Sequence, residues 1–409
     1  IIMIIKDKCS TCQSPIEEVI NIGDSPPANN FINSLDEKAK SYPLIVDYCK
    51  NCHGIQLRHC LEMDELFTNY SYMTPDAKSL NDQYKKIISH LKESKILSSE
   101  MQCLEIGSNT GRFLKELQPD VKAVLGVEPA ENIVDIAKAD GVNTICKFFS
   151  EAVGEEIYQE YGNFEIVFAR HMFAHNPDPQ ELIKGANNVM RGKGYFLIEN
   201  AYAVDTFLHG EIDQIYHEHM FYFSLQSIKN LMDLHGFYLV DFLTTDVHGG
   251  SLVYIFSNDP TESPAKKVTE FLAYEQSLFE EKKIFQIFDE KIASLKNNVK
   301  SELEQTIAEG KKVIVYGAPA KAFTMFTYLN LSSDDISFCV DTTETKIGKI
   351  FPVFNIPILC ESELTNREYD TVLVCAWNYQ EEILLKSNRL FKKGTKLIFP
   401  LPEFKVVIV

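Results

Sequence analysis

The sequence predicts an α/β protein with two parallel sheets and a small cysteine-rich module in front of them. Apolar runs typical of strands alternate with helical patterns between residues 101 and 198, which indicates a parallel sheet covered by helices. A second alternation begins at Lys312, and two Cys-x-x-Cys pairs lie within the first 52 residues. The expected divisions of the chain are therefore 1–70, 71–259, 260–310 and 311–409.

Composition and charge narrow the classes of function. The chain has 409 residues, of which 45% are hydrophobic and 24% are charged, as in ordinary globular domains. A net charge of −18 argues against a nucleic-acid partner, because such binding needs a concentrated basic surface. No run of eighteen apolar residues is present, and residues 1–5 lack the basic region and cleavage site of a signal peptide. We expect a soluble, cytoplasmic protein with no membrane partner.

The four cysteines of the first module predict a structural zinc site. Cys9 and Cys12 form one Cys-x-x-Cys pair, and Cys49 and Cys52 form the other. Two such turns can close a tetrahedron of thiolates around zinc. An all-cysteine site has no open coordination position, so it would stabilise the fold without doing chemistry. A redox pair and metal-free packing are the alternatives.

The strand and helix patterns then follow the order of a doubly wound sheet. Strand-like runs at 237–243 and 252–257 predict an antiparallel hairpin at one edge, and two helices are expected between 260 and 310. Other expected elements are helices at 80–98 and near 227–234, and strands at 101–106, 122–127, 164–168, 194–198, 313–316, 336–340, 371–375 and 396–399.

The first crossover of the large sheet indicates nucleoside binding. Gly107 allows a sharp turn where a strand becomes a loop. A dinucleotide-binding loop would have a second glycine two residues later, and this loop has Asn109 and Gly111 instead. Glu128 follows about twenty residues on, at the tip of the next strand, where a carboxylate can take both ribose hydroxyls. The pattern Glu-x-Gly-x-x-x-Gly from Glu105 therefore favours S-adenosylmethionine over NAD, and the alternative is a crossover that binds nothing.

An aromatic pair, Phe148-Phe149, is a further candidate for the cofactor site. Phe149 lies in Phe148-Phe149-Ser150, where a ring could border adenine. A place in the hydrophobic core is the alternative, since phenylalanine is among the residues most often buried.

The densest polar segment is Asp213-Gln-Ile-Tyr-His-Glu-His219, after the fourth strand. Its position predicts that it lies beyond the carboxyl ends of the strands, where open α/β sheets bind ligands. His217, Glu218 and His219 can exchange protons near neutral pH. A metal site is one alternative, although adjacent residues seldom converge on one ion. Histidines that cap or pack are another.

Two residues nearer the C-terminus are candidates for substrate contacts. Lys321 follows a glycine-containing turn at the start of a predicted helix, which suits a diphosphate, and a solvated lysine is the alternative. His248 opens a His-Gly-Gly sequence between the hairpin strands, which could also be a simple turn.

Taken in order, these motifs resemble the sugar C-methyltransferases of deoxysugar biosynthesis. The resemblance implies a class I S-adenosylmethionine-dependent methyltransferase core of Rossmann-like fold at 71–259. It also implies a zinc-binding domain at 1–70, a helical linker at 260–310 and a C-terminal Rossmann-like domain at 311–409. The implied partner is a nucleotide-diphosphate sugar, and we expect a monomer or a small homo-oligomer. The motifs that carry the resemblance are the four cysteines, the loop from Leu104 to Gly111, the block from Asp213 to His219, His248-Gly-Gly, the loop from Tyr316 to Lys321, Asp341-Thr-Thr and Ala376-Trp-Asn.

The resemblance also implies roles at the reacting sugar carbon, taken to be C3 of a 4-keto-6-deoxy sugar. Tyr216, Glu218 and His219 match the family's Tyr-x-Glu-His block, His175 matches a histidine after the third major strand, and Tyr72 matches a tyrosine of the zinc domain. A carbon beside a ketone must lose a proton before it can attack a methyl sulfonium. His219 is the expected base, and Tyr216 and His175 the expected hydrogen-bond donors to the enolate oxygen. Glu218 would orient an imidazole or bind a sugar hydroxyl.

Two other functions remain open from the sequence. An O- or N-methyltransferase would share the cofactor loop but would need no base for a carbon acid. A non-catalytic scaffold would need neither that base nor an intact Glu105, Gly107 and Glu128.

Overall fold

The computed structural model describes residues 3–61, 78–245 and 250–409. Within those ranges the strands form two seven-stranded sheets, one three-stranded sheet and one two-stranded sheet. The α/β fold class expected from the sequence is confirmed, with a cysteine-rich module ahead of two mainly parallel sheets. The division of the chain into domains stays a prediction.

The N-terminal module is antiparallel. Its buried Leu44, Val46 and Tyr48 alternate along one strand and face the main core. The strands are β1 (Met3–Ile5), β2 (Glu17–Ser25), β3 (Tyr42–Tyr48), β4 (Ile55–Leu57) and β5 (His59–Leu61). Strand β2 pairs with β3 and β3 with β4, while β1 pairs with β5.

The connection between β2 and β3 reaches the C-terminal part of the chain. The Phe31 ring lies 5.2 Å from that of Phe323 and 5.0 Å from that of Phe351. Ile32 forms an antiparallel bridge with Ile350. The first and last parts of the chain therefore pack directly against each other.

The first large sheet contains strands β6 (Gln102–Ile106), β7 (Ala123–Glu128), β8 (Thr144–Cys146), β9 (Ile166–Arg170), β10 (Tyr195–Ala201), β11 (Tyr238–Thr245) and β12 (Ser251–Ser257). Their order is β11-β12-β10-β9-β6-β7-β8. Strand β12 is antiparallel to β10 and β11, and the pairings among the other strands are parallel, so the expected hairpin is present at one edge. Buried apolar runs such as that of β9 arise because helices cover both faces.

The helices of this sheet are α1 (Lys78–Glu93), α2 (Arg112–Leu117), α3 (Glu131–Ala139), α4 (Glu151–Tyr161), α5 (Pro179–Val189), α6 (Ala203–His209) and α7 (Leu225–Asp233). Their starts follow local capping chemistry. Ser150 accepts the Val153 N–H at the start of α4, and Ser224 forms a capping box with Ser227 at the start of α7.

The third expected strand begins and ends two residues later than the apolar pattern indicated. It extends to Arg170, a charged residue that an apolar pattern excludes. The guanidinium is tolerated there because Glu105 and Glu199 flank it. The expected strand at 336–340 is likewise Cys339–Asp341, since Ile336 closes a turn by donating its N–H to the Ser332 carbonyl.

Two helices, α8 (Lys266–Phe279) and α9 (Lys283–Ala308), lead to the second large sheet. The elements of this part of the chain are β13 (Val313–Tyr316), α10 (Ala322–Leu329), β14 (Cys339–Asp341), β15 (Ile350–Phe351), β16 (Ile356–Cys360), α11 (Glu363–Asn366), β17 (Thr371–Val374), α12 (Gln380–Leu390), β18 (Lys396–Phe399) and β19 (Lys405–Ile408). The order of the strands in the second large sheet is β15-β16-β14-β13-β17-β18-β19.

No helix in the described ranges is long and apolar enough to cross a membrane.

Candidate active site

The four predicted zinc ligands lie together. The Sγ atoms of Cys9 and Cys52 are 3.4 Å apart, those of Cys12 and Cys49 are 3.5 Å apart, and all four lie within 4.8 Å of one another. Thiolates about 2.3 Å from one zinc ion would be separated by roughly 3.8 Å, so the set fits a tetrahedral ion. A Cβ at Gly54 would lie 3.3 Å from two of these sulfurs.

The predicted cofactor loop has the backbone that its glycines imply. Gly107 and Gly111 have φ of 67° and 73°, in the left-handed region that glycine tolerates. A Cβ at Gly107 would lie 2.8 Å from Met172 Cγ, so a side chain there would also collide. Three buried atoms around the loop have no hydrogen-bond partner, which fits a polar ligand: Glu105 Oε2, Ser108 Oγ and Thr110 Oγ1.

Glu128 links the loop after β6 to the segment before α3. One carboxylate oxygen accepts the Asn109 N–H at 3.0 Å, and the other accepts the Ala130 N–H at 3.1 Å. Burial raises the pKa of Glu128, and these two donors oppose that shift. A carboxylate has about four acceptor positions, so two remain for a ligand.

Glu105 belongs to a buried charged cluster that the sequence did not reveal. The Arg170 guanidinium lies 3.4 Å from Glu105 and 2.8 Å from Glu199, and it lies over the rings of Tyr84 and Phe113. Burial raises the pKa of Glu105 to about 7, although Arg170 lowers it. Burial also disfavours the charged form of Glu199, yet His171 and Arg170 bring its pKa down to about 2.

Tyr216 and His219 are the two ends of one turn. The His219 N–H donates to the Tyr216 carbonyl at 2.9 Å, which brings both side chains to the same side. His219 Nδ1 lies 2.8 Å from the Gln214 carbonyl, which can only accept, so Nδ1 carries the proton. In the neutral ring Nε2 then accepts the Tyr216 O–H at 2.8 Å. Both side chains are partly exposed.

His175 lies beside this pair. Its ring centroid is 5.0 Å from that of His219, because the Ala174 carbonyl accepts the N–H groups of Met220 and Phe221. Burial, with help from His171, lowers the pKa of His175 to about 4. His175 is therefore a neutral imidazole at physiological pH.

His217 and Glu218 point toward the zinc module. His217 is buried with its ring edge toward Tyr42, and burial lowers its pKa to about 4, so it packs as a neutral ring. Glu218 is buried next to the Asn29 amide, which hydrogen-bonds it. Burial raises the pKa of Glu218 to about 7, and Asn29 opposes that shift. Within the described residues, this block therefore forms no metal cluster.

Lys321 is the residue immediately before α10, at the helix N-terminus as expected, but its ammonium is not solvated. Its Nζ is buried without a hydrogen-bond partner and lies 4.8 Å from the centre of the Trp377 ring. Trp377 Nε1 donates to Asp213 Oδ2 at 2.6 Å. Lys321, the residue predicted to bind a diphosphate, therefore lies close to the segment that carries Tyr216 and His219.

The remaining predicted residues are differently placed. Tyr72 and His248 lie outside the described residues. Phe149 is buried in the main core, where its ring faces Gly185, and Phe148 is the exposed member of the pair. The core position is the alternative that the sequence left open.

Comparisons with known proteins identify the family. C-methyltransferase NovU from Streptomyces niveus is 34% identical over 406 residues, which cover 98% of this chain and 97% of that protein. The chain belongs to this C-methyltransferase family. The profile of a C-methyltransferase C-terminal domain matches residues 246–402, that of a methyltransferase domain matches 77–241, and that of a zinc binding domain matches 9–67. The C-methyltransferase therefore uses S-adenosylmethionine and has a zinc-binding module, as its sequence predicted.

More distant similarities concern only part of the C-methyltransferase. Sterol 4-C-methyltransferase strm-1 of Caenorhabditis elegans is 23% identical over 33% of this chain and 42% of its own length. Magnesium protoporphyrin IX methyltransferase from Synechocystis PCC 6803 aligns with a TM-score of 0.36 and 12% identity, over 44% of this chain and 84% of that one.

Three residues of the C-methyltransferase site were not predicted as site residues: Asn29, Thr324 and Trp377. Asn29 has φ of 61°, and an asparagine after two prolines could have been recognised as a left-handed turn. Thr324 Oγ1 donates to the Ile215 carbonyl at 2.5 Å. No local pattern marks Thr324, and the Ala376-Trp-Asn motif gave Trp377 no role, because the partners of both residues lie more than 100 residues away.

Proposed function

We propose that the C-methyltransferase methylates C3 of a nucleotide-linked 4-keto-6-deoxy sugar through an enolate. The Tyr216–His219 pair is the observation that carries the proposal, because its imidazole presents an unprotonated Nε2 on a partly exposed side chain. Such a base can remove a proton from a carbon beside a ketone near neutral pH. Transfer to oxygen or nitrogen does not require a base for a carbon acid.

In the proposed step, His219 Nε2 takes the proton from C3, and the C–H electron pair forms the enolate with the C4 carbonyl. S-adenosylmethionine supplies the methyl group as a sulfonium, whose sulfur keeps the electron pair of the broken bond. C3 forms the new carbon–carbon bond. Tyr216 O–H and the neutral imidazole of His175 donate hydrogen bonds to the enolate oxygen, which lowers the barrier to proton removal.

The other site residues have proposed roles that their surroundings support. Glu218 binds a sugar hydroxyl, since its carboxyl group lies beside Asn29 rather than against an imidazole. Lys321 binds the diphosphate, because its buried ammonium has no hydrogen-bond partner. Tyr72 keeps the catalytic role, and His248 the substrate-binding role, expected from the sequence. The proposed cofactor-binding residues are Glu105, Gly107, Asn109, Gly111 and Glu128, whereas Phe149 packs in the core.

A place in deoxysugar biosynthesis and a cytoplasmic location are part of the same proposal. Both follow from the nucleotide-sugar substrate expected for this family. The oligomeric state, a monomer or a small homo-oligomer, stays a prediction.

The first experiment measures methyl transfer directly. The purified protein is incubated with S-adenosylmethionine and a panel of nucleotide 4-keto-6-deoxy sugars, and each sugar is followed by mass spectrometry. We expect a gain of one methyl group, about 14 Da, that survives treatment cleaving methyl esters and that NMR places on C3. The gain should fall by about 10²-fold or more in His219→Ala.

A matched variant distinguishes the loss of the proposed base from the effect of removing a histidine elsewhere in the protein. His235→Ala removes a partly exposed histidine that lies outside the proposed site and should retain full transfer. Equal transfer by His219→Ala and the native protein would contradict the assigned base. Tight S-adenosylmethionine binding without a gain on any sugar would contradict the proposed acceptor.

A further inference from the structure

The segment that carries the proposed base is held from the C-terminal side of the molecule. Thr324 is fully buried in α10, and its hydroxyl donates to the Ile215 carbonyl at 2.5 Å. Trp377, the single tryptophan of the chain, donates its Nε1–H to Asp213 at 2.6 Å. Two contacts, one from α10 and one from the segment after β17, therefore hold residues 213 and 215.

Residue 214 lies between these two anchored positions. Its carbonyl accepts the His219 Nδ1–H at 2.8 Å, which determines both the direction of the imidazole and the nitrogen that carries its proton. A carbonyl between a held Asp213 side chain and a held Ile215 carbonyl has little freedom to turn away. The orientation of Nε2 toward a substrate is thus linked to contacts with Thr324 and Trp377.

The charge of Asp213 strengthens its hydrogen bond with Trp377. Asp213 is buried, and burial raises its pKa to about 6, while Lys321 and the Trp377 N–H oppose that shift. Above that pH the carboxylate is ionised and accepts a charge-assisted hydrogen bond from Trp377. Such bonds are about twice as strong as neutral ones.

We propose that Thr324 and Trp377 are positioning residues for His219. The C-terminal part of the chain would thereby hold the His219 imidazole, the proposed base, in its reactive orientation. This inference rests on the proposed function for the role of His219. It gives the C-terminal region a task in catalysis beyond binding the diphosphate through Lys321. Neither residue touches the substrate in this scheme.

The test uses the full chain with Thr324→Val, which keeps the shape of the side chain and removes the O–H. We expect kcat to fall by about tenfold or more while KM for the sugar and for S-adenosylmethionine stays within about twofold. Thr324→Ser restores the donor and should recover most of the loss. Thr306→Val is the matched control, since Thr306 is a buried threonine that hydrogen-bonds Thr371 away from the site.

A second measurement does not depend on turnover. NMR of protein labelled with ¹⁵N-histidine reports which ring nitrogen of His219 is protonated in the substrate-free enzyme. Native protein and Thr306→Val should show His219 with a protonated Nδ1, whereas Thr324→Val and Trp377→Phe should show a mixture of tautomers.

The outcomes separate the two proposals. An unchanged His219 tautomer in both Thr324→Val and Trp377→Phe would overturn the positioning role, even if kcat had fallen. A changed tautomer supports it. If no sugar of the panel is methylated, the proposed function fails, but the NMR comparison still decides whether these residues orient His219.

Discussion

Tyr216 donates its phenol O–H to His219 Nε2 over 2.8 Å, from the opposite end of the same turn. The two side chains form one hydrogen-bonded unit and act in the same step, so their effects on catalysis should not add. We expect Tyr216→Phe to lower kcat by about tenfold and His219→Ala by about 10²-fold or more. The double variant should be no slower than His219→Ala, as a double-mutant cycle of kcat would measure.

Tyr238→Phe is the control for that cycle, because Tyr238 is exposed at the start of β11. Its kcat should equal that of the native protein. Additive losses in the Tyr216 and His219 double variant would mean that the two residues act independently.

Asn29 brings the zinc module into the proposed substrate site. Its amide hydrogen-bonds Glu218, and its φ of 61° lets glycine replace it without new strain. Asn29→Gly should raise KM for the sugar several-fold. It should also raise the pKa that Glu218 contributes to the pH profile of kcat/KM, because Asn29 lowers the pKa of that carboxyl group. Asn355→Gly, at an exposed asparagine with φ of 58°, should leave KM and the pH profile unchanged.

Gly107→Ala tests the cofactor loop. A left-handed alanine costs about 1–2 kcal/mol, and its Cβ would also collide with Met172. We expect the Kd for S-adenosylmethionine to rise tenfold or more by calorimetry. Gly141→Ala has the same backbone strain, with φ of 85°, but nothing within 4 Å of the added atom. Equal affinities of the two variants would indicate that the collision at Gly107 does not matter.

The zinc cluster should be needed for stability rather than for the chemical step. Cys49→Ser removes one of four thiolates, so metal analysis should find less than one zinc per chain and the unfolding midpoint should fall. Cys60→Ala changes a buried cysteine of the same module outside the cluster. It should retain the zinc. Full zinc content in Cys49→Ser would rule out the four-thiolate site.

Glu218 predicts a pH dependence of stability. Its folded pKa of about 7 exceeds the ordinary value of 4.5, so its contribution is fully present below pH 4.5 and is lost as the pH rises through 7. Glu218→Gln removes this loss. Relative to the variant, the native protein should lose up to about 3 kcal/mol of unfolding free energy between pH 4.5 and 8.

Unfolding at a series of pH values measures this difference, and Glu403→Gln, at an exposed glutamate, should follow the native curve. Parallel curves for the native protein and Glu218→Gln would mean that the carboxyl group is ionised throughout that range.

Local sequence determined the elements whose cause is itself local. The left-handed turn at Gly107 follows from a glycine between a strand and a loop, and the cysteine pairs follow from their two-residue spacing. The antiparallel edge hairpin was readable from two apolar runs. The apolar pattern misplaced β9, because burial of Arg170 depends on two carboxylates from other strands.

Only the tertiary structure decided which polar residues meet. The sequence placed Tyr216 and His219 in one segment, but the proton on His219 Nδ1 is fixed by the Gln214 carbonyl, whose segment is held by Thr324 and Trp377. Asn29 and Glu218 are far apart in the chain and meet only after folding. The physical reason is that periodicity and spacing record short-range backbone preference, whereas the orientation and charge of a side chain depend on partners that long-range packing brings within hydrogen-bond distance.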